Sequence, residues 1–123
     1  MTLEEFEKTV AEALDDIPEK FQKRLENVEI CVEENPTPAQ REKIRKGVLV
    51  FGLYEGVPQT QRSHYGQVLP DKITIFKDSI EKVCFSKEEI RKKVKNVVWH
   101  EIAHHFGMGE ERVRKAERKN IDN

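Results

Sequence analysis

At 123 residues the chain is long enough for one hydrophobic core and too short for two, so one site on one scaffold is expected. Charged and hydrophobic residues each make up 37% of the chain and the net charge is −1, which excludes bulk attraction to nucleic acid or anionic lipid as the basis of function. No run of about 18 apolar residues and no basic stretch leading into an apolar one occurs, so a soluble, cytoplasmic monomer is expected, with Cys31 and Cys84 as reduced, structurally buried thiols.

In chain order, Leu3, Phe6, Val10, Leu14 and Ile17 recur at three to four residues, and Thr2 with Glu5 has the spacing of a capping box, so a helix starts near Thr2. Pro18 interrupts it, and Phe21 with Leu25 suggests a further turn or two. The alternating "VEICVE" predicts a half-buried strand with Val28, Ile30 and Val32 on one side. The proline-broken "ENPTPAQREKIRKG" reads as a loop with a short helical turn.

Bounded by Gly47 and Pro58, the β-branched and aromatic run predicts a strand from Val48 to Tyr54, with Gly52 marking a bulge or the close approach of another backbone. The polar stretch from Pro58 to Asp71 has the length of a functional loop and carries His64 and Tyr65. "KITIFK" predicts another strand and "DSIEKVC" a helical turn. From Ser86, with Glu89 as its capping partner, Ile90, Val94, Val97, Val98 and Ile102 form a helical apolar face that runs towards Gly107. The last segment, "EERVRKAERKN", reads as a mostly exposed helix. The basic clusters "REKIRKG" and "RKKVK" read as solvated helix faces.

The chemistry is concentrated in "VVWHEIAHHFGMGEER", which holds three of the four histidines. Four residues apart on a helix, His100 and His104 share a face and can reach one metal ion. At 100° per residue, Glu101 falls in line with Ile90, Val94 and Val97, on the side that otherwise buries apolar groups. An unpaired charge buried there would cost roughly several kcal/mol, and a cleft holding a cation and water removes the difficulty. There the carboxylate is placed to act as general base. A catalytic zinc usually takes three protein ligands. Glycine at position 107 can turn the chain out of the helix and swing Glu110 back, so "HEIAHHFGMGE" reads HExxHxxGxxE.

Together with "FGLYEGVPQTQRS" and "YGQVLPDKITIF", this pattern resembles the family of small bacterial zincin-like metallopeptidases, the minimal zincins, over nearly the whole chain. The resemblance implies an α+β fold in which a small mixed sheet packs on the active-site helix and the N-terminal helix, with a cleft for an extended peptide. It implies Zn2+ as cofactor, His100, His104 and Glu110 as ligands, Glu101 as general base, and a peptide or protein substrate. Two departures stand out. Glu110 occupies a position where His or Asp is usual, with Glu111 as the alternative carboxylate, and the sequence ends 13 residues after Glu110, without the long C-terminal subdomain of true metzincins; Met108 comes too early to form their methionine turn. A thin lower wall to the cleft is expected, which keeps open a zinc-binding module that binds a peptide or partner with little proteolysis. A metal-dependent ribonuclease is disfavoured, since such an enzyme has no need of Glu101 and the net charge offers no steering to RNA.

His105, about 140° around the helix from His100, is expected to pack or to support the site rather than to ligate. Trp99 points away from Glu101 and is expected to pack against another layer. His64 and Tyr65 are candidates to donate to an oxyanion, with packing the plainer reading. "GLYEG", Gly52 to Gly56, is either an edge strand for an extended substrate or an ordinary core strand.

Overall fold

The computed structural model describes residues 1–23, 25, 28–56 and 71–105. Over these it is an α+β fold with elements α1 (Leu3–Asp15), α2 (Glu19–Gln22), β1 (Val28–Glu33), α3 (Pro38–Lys43), β2 (Gly52–Glu55), β3 (Asp71–Phe76), α4 (Lys77–Val83) and α5 (Lys87–His105). Thr2 and Glu5 form the expected capping box: the Glu5 backbone N–H donates to Thr2 Oγ1 at 3.1 Å, and the Thr2 N–H donates to the Glu5 carboxylate. α1 buries Phe6, Val10 and Ala13 against α5, and full burial of a side chain such as Phe6 contributes about 1.5–3 kcal/mol. After Pro18 the described residues form the single turn of α2. Its Gln22 side-chain amide donates back to the carbonyls of Asp15 and Ile17 at 3.1 and 2.7 Å, which ties α2 to the end of α1.

The three strands lie in the order β1-β3-β2, with β1 parallel and β2 antiparallel to β3. The register sets Val28, Ile30 and Val32 beside Asp71, Ile73 and Ile75, and sets Ile75 and Ile73 opposite Gly52 and Tyr54. Alternation puts all these residues on one face, and α5 covers that face across β2 and β3. Ile73, Ile75, Val94, Val98 and Ile102 are fully buried there.

The expected strand from Val48 to Tyr54 is corrected to Gly52–Glu55. β3 ends at Phe76, whose N–H already bonds the Phe51 carbonyl, so residues further upstream have no ladder to join; Val48 and Leu49 are 43% and 41% exposed. Gly52 is not a bulge, because it pairs in register with Ile75. The helical turns in "PTPAQREK" and "DSIEKVC" are real helices, α3 with a Thr37–Gln40 capping box and proline at its start. At the start of α5, Ser86 accepts from the Glu89 N–H as expected, but the Glu89 carboxylate accepts from Phe85 instead of closing a box.

α3 also steadies β2. Glu55 accepts from Lys43 at 2.6 Å and from the Gln40 amide at 2.9 Å, and these two bonds hold its carboxyl below the usual range. Cys31 and Cys84 are free and half-buried rather than buried, and burial pushes both thiols up. No described helix is long and apolar enough to cross a membrane.

Candidate metal centre

α5 carries His100, Glu101 and His104, and the first two line a cleft of about 370 Å³ together with Phe51, Gly52, Lys93, Asn96 and Val97. The potential ligand atoms of His100, Glu101 and His104 lie within 4.8 Å of one another, and the two imidazoles meet edge to face with centroids 4.8 Å apart. Two half-exposed imidazoles and one carboxylate, converging at that spacing, are a donor set that suits zinc. Glu101 is only 9% exposed, in line with the apolar residues as the helical phase requires, yet it also borders the cleft.

The placement of Glu101 depends on Gly52. A Cβ at position 52 would stand 2.8 Å from Val97 Cγ1 and 3.1 Å from Glu101 Cγ, so the absence of a side chain is what lets α5 lie this close to β2. The close approach expected at Gly52 is thus made by helix side chains. Gly52→Ala is expected to cost about 1–3 kcal/mol of stability, as overpacking does, and to displace the Glu101 carboxylate. Denaturant unfolding should show the loss of stability; a value unchanged from wild type contradicts the packing described.

His105 faces the core, in the direction of Val98, and does not join His100 and His104. Its Nδ1 lies 2.5 Å from Asp71 Oδ2, with both side chains at most 2% exposed. The Tyr54 hydroxyl donates to the same oxygen at 2.7 Å, and its ring meets that of His105 edge to face. Gly56 completes the enclosure, since a Cβ there would collide with the Asp71 carboxylate. β2, the start of β3 and the described end of α5 are therefore tied at one buried carboxylate through His105, the residue that follows His104.

Asp71, expected at the end of a loop, opens β3 instead. One signal could have found it: Asp71, Ile73 and Ile75 alternate in phase, which puts a carboxylate on the buried face where it must find a partner. Trp99 packs as expected, edge to face with Phe21 at 5.2 Å. Glu110, Glu111, Gly107, Met108, His64, Tyr65 and the segment expected to form a C-terminal helix lie outside the described residues.

The chain matches the family of zincin-like metallopeptidases over residues 25–119. Among solved structures, a conserved hypothetical protein from Thermus thermophilus is similar at 26% identity and a TM-score of 0.58, covering 86% of this chain and 94% of that one. No curated protein matches the chain.

Proposed function

The chain belongs to the family of zincin-like metallopeptidases, and from that premise we propose that it is a zinc-dependent peptidase that cuts peptide bonds with Glu101 as general base. The observation that carries the reading is the convergence of His100, Glu101 and His104 within 4.8 Å beside a cleft that His100 and Glu101 line. When bound, zinc would supply a Lewis acid that polarises the scissile carbonyl and makes water a nucleophile at neutral pH. His100 and His104 would hold the ion. Glu101, screened by Val97 and the β2 backbone, would take a proton from the attacking water and deliver it to the leaving amine.

β3 occupies one side of β2, and among the described residues no strand pairs with the other. An extended peptide can add there through backbone hydrogen bonds, beside Gly52 and hence beside Glu101. Glu110 is our third ligand. Glu110→Ala is expected to weaken zinc binding by more than the roughly 10–100-fold typical of a residue that only supports a ligand, with Glu111→Ala close to wild type; the reverse order in a competition titration would move the assignment to Glu111.

The activity is tested on the purified chain with a broad panel of peptides and unfolded proteins, with and without zinc. Chelator-sensitive cleavage, absent in His100→Ala and His104→Ala, is the expected result. Zinc binding with no chelator-sensitive cleavage of any panel member would overturn the reading in favour of a binding module.

A further inference from the structure

α5 carries four lysines between positions 87 and 95, and three of them find a carboxylate: Lys87 with Glu5 at 3.0 Å, Lys92 with Glu88 at 3.6 Å, and Lys95 with Asp16 at 3.7 Å. Lys93 is the exception. It is half-buried in the cleft wall, its Nζ is 4.2 Å from the centroid of the Phe51 ring, and no carboxylate among the described residues lies within ion-pairing distance of it. The ring holds the ammonium weakly and leaves its other side open to hydrogen bonds. Asn96, which also lines the cleft, offers an amide donor one turn nearer His100.

Position along the cleft follows from helix geometry. Seven residues separate Lys93 from His100, two turns less about 20°, so both project from nearly the same side of α5, about 10.5 Å apart along its axis. An extended peptide rises about 3.3 Å per residue, so this offset corresponds to about three residues. A substrate laid along β2 with its reacting bond at His100 and Glu101 therefore carries a group about three residues away past a cation with which no described carboxylate is ion-paired.

We propose that the cleft selects peptides bearing a carboxylate about three residues from the bond that is cut, bound by the Lys93 ammonium with the Asn96 amide as second donor. The inference rests on the reading of this cleft as a peptidase site. The carboxylate belongs either to an Asp or Glu side chain or to the chain terminus of a short peptide; the chemistry recognised is the same.

The test uses the zinc-loaded full chain and a peptide from the panel. Asp or Glu, then Asn or Gln, is placed at each of the four positions on either side of the cut bond, and a second series pairs free-acid with amidated C-termini. About a tenfold advantage in kcat/KM for the carboxylate over its amide is expected at one position near the third, or for the free-acid terminus, which separates the two sources. In Lys93→Met the ratio falls to about one, in Lys93→Arg it persists, and in Lys93→Glu it turns in favour of Lys or Arg. No advantage at any position, or one that survives in Lys93→Met, overturns the inference and leaves the peptidase reading standing. The same labelled peptides are also titrated against Glu101→Gln protein at low and high salt. Carboxylate-dependent binding that is lost in the Lys93→Met double variant supports the subsite even where cleavage is absent, and the loss then falls on the peptidase reading alone.

Discussion

Glu101→Gln is expected to retain zinc and to lose peptide hydrolysis by about 100- to 10,000-fold, the range that a positioned general base supplies. The substitution keeps the shape of a side chain packed against Val97 and the backbone of Gly52, so the helix and the two imidazoles should stay where they are. What disappears is the capacity to accept a proton from water. Elemental analysis reads the first half of the prediction and steady-state kinetics on a panel peptide the second. Full turnover by zinc-loaded Glu101→Gln protein would sink the proposed mechanism. Loss of zinc along with turnover would instead mark the carboxylate as a contributor to metal binding, which the 4.8 Å grouping with His100 and His104 permits geometrically.

The second large effect is expected at Asp71. Asp71→Ala removes the acceptor shared by His105 Nδ1 and the Tyr54 hydroxyl in a region where the His and Asp side chains are at most 2% exposed. Breaking a buried pair by deleting one partner typically costs about 3–5 kcal/mol, a large part of the roughly 5–15 kcal/mol that holds a domain of this size together. Urea unfolding should show the loss, with His105→Ala similar and Tyr54→Phe much milder, at about 1 kcal/mol for one hydrogen bond. Because His105 follows His104 directly, zinc affinity should fall as well in variants that still fold. Stability within about 1 kcal/mol of wild type for Asp71→Ala would mean that the tie is not what holds the end of α5 to the sheet.

Much of the site was legible because it is local. The phase that aligns Glu101 with Ile90, Val94 and Val97 follows from helical geometry within one element, and the structure agrees on each residue's burial. The packing roles of Trp99 and His105 followed from the same phase. Strand limits were less legible. Val48 to Phe51 have the β-branched and aromatic character of a strand, but a strand needs a partner, and β3 turns into α4 after a single bond to the Phe51 carbonyl. The half-buried state of Cys31 likewise depends on which face of β1 is covered, which alternation alone does not say.

By itself, then, the sequence determined the helix of the candidate metal site, its pair of imidazoles and the carboxylate between them, since residues one turn apart meet whenever the helix forms. Tertiary structure alone decided what lies against that helix. Gly52 faces Glu101 because the antiparallel register sets it opposite Ile75 on the covered face. Asp71 meets His105 across 34 residues because the first residue of β3 falls beside the described end of α5. Lys93 finds an aromatic ring instead of a carboxylate because Phe51, the residue before β2, lines the cleft at that point. Contacts of this kind depend on strand register and on the crossing of helix and sheet, and no local periodicity encodes either.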